Sequence, residues 1–309
     1  MPLRLIPEDT HIRFIKLRLA AFIFSGILAV LSIGLFFGKG LNYGIDFQGG
    51  TMIEIGTPEA ADIGQIRSIL SGLDLGSVQI QEFGADNDVL IRVQEQEGGD
   101  EAQQEVVATV KTALDSAIEG ISYRRVEVVG PKVSNELIWA GIEAVLAAVF
   151  AVLVYIWFRF EWQFSIGAVA ALVHDVVLTI GVFSLLGLEF NLSIIAAILT
   201  IVGYSLNDTV VVFDRVRENL RKYKKMPLEE LLDLSINETL SRTIMTSGTT
   251  LLALLALYFL GGEVIRGFTF AMIWGIVVGT YSSIFVASPI LLQTGVKRDW
   301  SQEAAAARP

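Results

Sequence analysis

The 309-residue sequence contains no cysteine and only two histidines. The absence of cysteine excludes a disulfide scaffold, a zinc ribbon, a Cys-ligated iron–sulfur cluster and a cysteine nucleophile. Charged residues make up 18% of the chain, below the roughly 25% of an average globular protein. This composition excludes an ordinary soluble enzyme, and we predict neither a metal ion nor a cofactor. The net charge of -10 also disfavours a nucleic-acid partner.

Apolar segments dominate the sequence: hydrophobic residues form 53% of the chain, and the mean hydropathy is +0.58. A bilayer-spanning helix needs about 20 apolar residues. Six segments approach that length, at 17–37, 137–158, 164–186, 192–213, 244–260 and 268–292. We therefore predict a polytopic α-helical membrane protein with six transmembrane helices. The first is predicted as a retained anchor, since no A-x-A-like cleavage site follows it.

The segment 38–132 is predicted to be a small soluble domain between the first two helices. It holds 16 acidic and 7 basic residues, whereas the rest of the chain is nearly neutral. Its apolar periodicity predicts the order βαββαβ, the pattern of a ferredoxin-like α+β domain. The predicted strands lie at 51–55, 78–83, 89–93 and 123–129. The predicted helices lie at 58–70, with Thr57 as N-cap, and at 100–118.

Basic residues indicate how the chain is oriented. They cluster in the N-terminal segment 1–16 and the adjoining start of helix 1, in a loop predicted at 214–242, and in the tail 294–309. The residues are Arg4, Arg13, Lys16, Arg18, Arg215, Arg217, Arg221, Lys222, Lys224, Lys225, Lys297 and Arg298. The positive-inside rule then places both termini and that loop in the cytoplasm, and the acidic domain in the periplasm. The five later helices occupy 133–293.

Ionisable residues within the apolar segments are the strongest functional signal, because burying them in lipid is costly. Asp208 lies about 25 Å of helix rise from Asn191, and Arg242 about 30 Å from Gly262 on the next, antiparallel helix. The two side chains are therefore at similar depths and able to pair. Such a pair suits proton coupling, because the proton affinity of a carboxylate depends on its distance from a cation. A static ion pair that fixes helix register is the alternative.

Two further groups of residues are candidates. His174 and Asp175 lie near the middle of the third helix, as a second-tier relay or as a satisfied core pair. Asn207 adjoins Asp208. A glycine-rich connector follows the first helix and is predicted to be a structural elbow, since it lacks the Lys-Ser/Thr end of a phosphate-binding loop. Its distinctive residues are Gly44, Asp46, Gly49 and Gly50.

Several of these motifs resemble the SecD/SecF family of bacterial protein-export subunits. The run Gly-Ile-Asp-Phe-Gln-Gly-Gly at 44–50 resembles the glycine-rich signature of the whole family. The His-Asp-Val at 174–176, the block at 203–219 and the Leu-Ser-Arg-Thr run that opens 240–250 look like its SecF branch. The similarity covers nearly the whole chain apart from the tails and parts of the domain.

The resemblance implies half of a transporter of the resistance–nodulation–division type. It implies pairing with SecD, association with the SecYEG channel and YajC, and action on a translocating polypeptide after SecA, in the bacterial inner membrane. Protons and membrane lipid are the other expected partners. In this family, the positions of Asp208 and Arg242 are implicated in proton conduction. No catalytic residue and no enzyme activity are expected.

Three other functions remain open from the residues. A half-transporter for a small molecule or lipid would share the fold. A passive scaffold for SecD would need no proton chemistry. An intramembrane aspartyl protease using Asp175 and Asp208 is disfavoured, because the Gly-x-Gly-Asp and Tyr-Asp motifs of such proteases are absent.

Overall fold

The computed structural model describes residues 10–96 and 98–296. The basic residues predicted at Arg4, Lys297 and Arg298 lie outside this part of the chain. In chain order the described elements are α1 (Arg18–Gly38), β1 (Asn42–Tyr43), α2 (Ile45–Gln48), β2 (Gly50–Gly56), α3 (Ile63–Ser71), β3 (Val78–Phe83), β4 (Ala85–Val93), α4 (Gly99–Ala117), β5 (Ser122–Val129), α5 (Pro131–Arg159), α6 (Trp162–Leu186), β6 (Glu189–Phe190), α7 (Leu192–Lys222), α8 (Leu228–Leu260), α9 (Glu263–Ser282), a π-helical turn (Ser283–Ala287) and α10 (Ser288–Thr294).

In the described part of the chain, six helical stretches are long and apolar enough to cross a membrane, which confirms the predicted number. They are α1 with its preceding turn, α5, α6, α7, α8, and α9 continued through α10. The helices α6, α7 and α9 bury about half of their residues and form the centre, whereas α1, α5 and α8 are mostly exposed at the periphery. Two apolar clusters fill the centre, one around Phe164 and Phe213 and the other around Phe183 and Ile201.

The soluble domain lies between α1 and α5, as predicted. Its sheet has the strand order β3-β4-β2-β5 with every neighbouring pair antiparallel. The helices α3 and α4 pack on one face of this sheet, against inward-facing residues such as Ile53, Ile55 and Ile91. This arrangement is the ferredoxin-like topology that the βαββαβ pattern predicts. The other face of the sheet is directed at the membrane helices through Met52 and Leu90.

The first helix of the domain begins later than predicted. The helix expected from residue 58, with Thr57 as its N-cap, starts at Ile63, and Asp62 is the cap, accepting a hydrogen bond from the Gln65 amide at 2.9 Å. The segment before Ile63 is held against the hairpin instead: the Thr57 hydroxyl donates to the Glu59 and Asn87 carbonyls at 2.6 and 3.1 Å, and the Ala61 amide donates to the Asp86 carbonyl at 2.8 Å. The second hairpin strand also starts earlier, at Ala85, because the hairpin turns at Gly84.

The prediction of a loop at 214–242 is wrong, because most of this segment is helical. The helix α7 continues to Lys222 and α8 starts at Leu228, which leaves only residues 223–227 outside the helices. The extensions are amphipathic: Val216, Leu220, Leu231 and Ile236 are buried at helical spacing in one apolar cluster. Charge alone suggested a loop, whereas the buried apolar stripe stabilises a helical hairpin. We call this end of the molecule the basic side and the opposite end the domain side.

Close packing at Gly181 holds α1 against α6. A Cβ added at Gly181 would approach the Cα of Ser32 at 2.8 Å, whereas one added at Gly34 on α1 would meet nothing within 4 Å. We expect Gly181→Ala to lower the free energy of unfolding by about 1–3 kcal/mol through overpacking. Gly34→Ala should leave it unchanged or raise it by up to about 1 kcal/mol. Denaturant titration in detergent micelles measures both, and equal stability of the two variants would contradict the close contact.

Candidate functional site

Asp208 lies on α7, about 24 Å of helix rise from the domain-side end of that helix. Its side chain is buried, with a relative exposure of 6%. Thr243 on α8 donates a hydrogen bond to one carboxylate oxygen at 2.8 Å, and Ser283 in the π-helical turn donates to the other at 2.9 Å. Both described donors are neutral hydroxyl groups, so the carboxylate is solvated by protein without a directly bonded cation.

A second buried carboxylate lies beside the first in the same bundle. Asp175 on α6 is 1% exposed and has three partners. Ser205 on α7 and Ser282 on α9 donate to one oxygen at 2.6 and 2.8 Å, and the Nδ1 atom of His174 lies 2.9 Å from the other. Asp175 therefore connects three helices through short polar contacts.

Two consecutive serines link these carboxylates. Ser282 contacts Asp175 and Ser283 contacts Asp208, so the junction of α9 and the π-helical turn reaches both acidic groups. The turn precedes Pro289, which lacks the N–H that an α-helix needs at this point, and the Ser288 hydroxyl donates to the Ser283 carbonyl at 2.8 Å. Single π-helical turns within α-helices are frequent at functional sites.

Glycine residues on α9 allow this helix to pack closely against α7. Gly275 and Gly279 of α9 lie against Ile201 and Ser205 of α7. A Cβ added at Gly279 would lie 3.0 Å from the Ser205 Cβ, so the glycine lets α7 and α9 pack closely beside the residue that bonds Asp175.

Arg242 does not pair with Asp208 as the depth estimate predicted. Among the described residues, no ion pair within 4.0 Å joins the two side chains. The reason is helical geometry: Thr243 points inward to Asp208, and residues one apart on a helix differ by about 100° in direction. Arg242 is therefore exposed on the outer surface of the bundle at the same depth, and so is Asn207 on α7.

His174 contacts Asp175 and Tyr281 of α9 and, among the residues described, makes no hydrogen bond to Asp208. Its ring stacks on that of Tyr281, with centroids 6.0 Å apart. The Tyr281 hydroxyl in turn lies 3.0 Å from the Ser25 hydroxyl on α1. Within the described part of the chain, the buried His174 Nε2 atom has no hydrogen-bond partner.

The glycine-rich connector joins the domain to the start of α7. The Gly44 amide donates to the Phe190 carbonyl, and Asp46 accepts a hydrogen bond from the Leu192 amide at 2.9 Å, which caps α7. Gly49 and Gly50 have φ values of 71° and 112°, which side-chain-bearing residues rarely adopt. The connector is thus a structural elbow that contacts the helix carrying Asp208.

An ion pair reinforces this junction. Arg92 on β4 pairs with Glu189 on β6, immediately before α7. Arg92 is largely buried, with 9% of its side chain exposed, whereas Glu189 retains 24%. The domain is therefore fixed to the helix ends by charge as well as by the elbow.

Sequence reasoning named Asp208, Asp175 and the elbow as candidates but did not name Thr243, Ser282 and Ser283, which contact the two carboxylates. Hydroxyl residues are common in membrane helices, so their presence alone gave no signal. The consecutive serines in the middle of the last apolar segment were the one feature that could have identified them. Over residues 10–96 and 98–296, no three His, Asp or Glu side chains are grouped to hold a metal ion.

The chain is similar over nearly its whole length to known protein-export subunits. Residues 109–297 match the model of the SecD/SecF protein export membrane protein C-terminal region, and residues 34–57 match the SecD/SecF GG motif. A relative from Rhodobacter capsulatus, described as protein translocase subunit SecF, is 50% identical over 96% of this chain and 93% of that protein. Another from Rickettsia rickettsii, with the same description, is 48% identical over 94% of each chain.

Two solved structures share the fold. SecDF from Thermus thermophilus, described as a translocon-associated membrane protein, superimposes with a TM-score of 0.84 at 39% identity. The superposition covers 95% of this chain and 40% of that chain. A structure of SecDF in a super-membrane-facing form gives a TM-score of 0.70 at 38% identity, over 99% of this chain and 41% of that chain. The present chain thus spans about two fifths of the solved SecDF molecules.

Proposed function

The chain belongs to the SecF branch of the SecD/SecF family of protein-export membrane proteins, and we propose that it uses a proton gradient, through Asp208, to drive that export. As a family member it is an accessory subunit of the Sec translocase and a multi-pass membrane protein. The proton-driven step, the roles of individual residues and the partners beyond SecD are our proposals.

The observation that carries the proposal is the environment of Asp208. A buried carboxylate deep within a membrane helix is energetically costly. Such a residue is therefore rare, and it usually has a function. Its two described hydrogen-bond donors are hydroxyls, on Thr243 and Ser283. A hydroxyl donates to a carboxylate and, after rotation, accepts from a carboxylic acid. Asp208 can therefore take up and release a proton without losing its partners.

Protonation would change the contacts between helices. The ionised Asp208 accepts hydrogen bonds from α8 and from the π-helical turn, while Asp175 accepts them from α7 and α9. A proton on Asp208 would weaken or reverse one of these charge-assisted bonds, each of which contributes about 1.5–3 kcal/mol. We assign Asp175 and His174 to a second tier that relays a proton or fixes the helices.

The position of Arg242 and Asn207 supports pairing with SecD. Both are exposed at the depth of Asp208, where contact with lipid would be unfavourable. The solved SecDF chains are about two and a half times as long as this one, as their 40% coverage implies. We propose that SecD covers this face and moves the Arg242 side chain closer to the buried carboxylates.

The remaining partners and the orientation follow from charge and family. The basic side would face the cytoplasm and the acidic domain the periplasm of a bacterial inner membrane, with both termini inside. SecYEG and YajC would contact the complex, SecA would act before it, and the translocating polypeptide would emerge on the domain side.

Proton flux tests this function in the complex of the chain with SecD, reconstituted in vesicles. We expect an imposed gradient to drive flux and to stimulate export. Arg242→Gln should lower both by at least about tenfold, equivalent to about 1.4 kcal/mol on a rate. It should leave the stability of the isolated chain within about 0.5 kcal/mol, because the side chain is exposed.

The matched control is Arg215→Gln, at surface ion pairs with Glu218 and Glu238, which should change neither flux nor export. Full export by Arg242→Gln, or export by the wild-type complex without a gradient requirement, would favour a passive scaffold instead.

A further inference from the structure

A cavity of about 1070 Å³ separates the domain from the membrane helices. The sheet face that α3 and α4 leave uncovered forms one wall, including Met52 and Leu90. The domain-side ends of α7, α8 and α9 form the other, including Ile194 and Phe268. The volume slightly exceeds the usual range for small-molecule sites, about 300–1,000 Å³.

Glu54 is a buried carboxylate without a partner in this cavity. It lies in the middle of β2 and is 8% exposed. Among the described residues it accepts no side-chain hydrogen bond and forms no ion pair. Its cross-strand neighbour Arg125 pairs with Glu127 on its own strand. Because Glu54 is largely buried and unpaired, and because Glu82, Glu127 and Glu189 line the same cavity, this position favours a bound cation.

A cationic group with an unused donor lies on the helix wall of the cavity. Arg266 on α9 pairs with Glu263 and lies over the ring of Tyr258, 5.6 Å from its centroid. The Nε atom of Arg266 is buried and has no partner in the described part of the chain. The Arg266 side chain as a whole is 43% exposed, so an anionic group that entered the cavity would reach the guanidinium beside Glu263.

We propose that this cavity binds the headgroup of a zwitterionic aminophospholipid. The primary ammonium would bind Glu54, the phosphate would bind Arg266, and the glycerol and upper acyl chains would lie on the apolar wall around Phe268. The location supports this ligand, because the ends of bilayer-spanning helices are at headgroup depth. The inference does not depend on proton coupling.

A polypeptide is a weaker candidate for the occupant. An extended peptide gains most from main-chain pairing at a free sheet edge. The cavity instead covers the face of the sheet, whose edges are β3 and β5. This face offers side chains and no unpaired backbone, which suits a compact headgroup.

Native mass spectrometry of the full-length chain tests the proposal, using micelles doped with dioleoyl phosphatidylethanolamine, phosphatidylcholine or phosphatidylglycerol. We expect phosphatidylethanolamine to be retained at least about tenfold more than the other two, since they lack an ammonium N–H. Glu54→Gln should reduce its retention by about tenfold and remove the preference. Arg266→Gln should lower the retention of all three lipids.

Glu105→Gln, on the exposed face of α4 away from the cavity, is the matched control and should behave as the wild type. Thermal unfolding verifies that each variant is folded. If Glu54→Gln does not fold, two other results test the proposal: the preference of the wild type for phosphatidylethanolamine, and the lower retention of all three lipids by Arg266→Gln. Equal retention of the three lipids, or unchanged preference in a folded Glu54→Gln variant, overturns the proposal. Glu54-dependent binding of a lysine-rich peptide, without retention of phosphatidylethanolamine, would assign the cavity to a polypeptide instead.

Discussion

Asp208→Asn should abolish gradient-driven export while preserving the fold. Asparagine has nearly the shape of aspartate, and its amide can accept from one of the two hydroxyls that bond Asp208 and donate to the other after that hydroxyl rotates. The variant therefore loses the titratable carboxyl group but keeps the packing of the side chain. We expect proton flux and gradient-stimulated export to fall by at least about tenfold. The stability should change by no more than about 1.5 kcal/mol, the value of a neutral hydrogen bond.

The measurement combines proton flux with export in vesicles that contain the chain and SecD. Asp214→Asn is the matched control, since Asp214 lies on the same helix but forms an exposed ion pair with Arg159. Such surface pairs contribute about 0–1 kcal/mol, so this variant should retain flux and export. Wild-type flux in Asp208→Asn would remove Asp208 from the proton path. Loss of both activities in the control would show that any charge change on α7 is harmful.

Arg92→Gln should release the domain from the membrane helices. Breaking a buried ion pair by removing one partner costs about 3–5 kcal/mol, because the other charge is left uncompensated. Glu189 remains a quarter exposed, which places the expected cost near the lower end, about 3 kcal/mol. The elbow would remain, so the domain should stay folded but move more freely relative to α7.

Limited proteolysis of the connector at residues 39–49 measures this release, and denaturant titration measures the cost. Arg125→Gln is the control, because Arg125 is more exposed and pairs with Glu127 on its own strand. The double variant Arg92→Gln with Glu189→Gln should recover part of the stability, since no unpaired charge remains. Additive costs in that cycle would contradict the pairing.

Arg92→Gln also separates two stages of the proposed function. Glu189 of this ion pair and Asp208 lie on one continuous segment, β6 followed by α7, whereas Arg92 lies on β4 of the domain. If helix movement drives the domain, this variant should keep proton flux and lose gradient-stimulated export. Equal loss of proton flux and of export would show that Arg92 is needed for folding of the subunit rather than for coupling proton flux to export.

The sequence predicted those features that the solvent imposes. Six apolar segments predict six helices, because lipid leaves backbone groups no partner other than the helix itself. Alternating apolar residues predicted the order of strands and helices in the domain, since one face of its sheet must be buried. Asp175 and Asp208 were identifiable because carboxylates in membrane segments are expensive and therefore rare.

Two predictions failed because they ignored tertiary packing. The segment 214–242 is charged, but its apolar residues at helical spacing bury against one another and extend α7 and α8. Thr57 has the residue type of an N-cap, yet the residues that follow it are held by the hairpin, where the Ala61 amide donates to the Asp86 carbonyl, so the helix starts only at Ile63. Local propensity is a weak guide wherever a long-range partner competes for the same group.

The sequence by itself determined the membrane architecture, the acidic domain and the depth of the buried carboxylates, because hydropathy, charge and helix rise are properties of one segment at a time. Only the tertiary structure decided which groups bond Asp208, that Arg242 faces outward, and that Glu54 lies unpaired in a cavity. Depth along a helix follows from residue number, whereas the direction of a side chain toward a neighbouring helix depends on how the helices are rotated and packed.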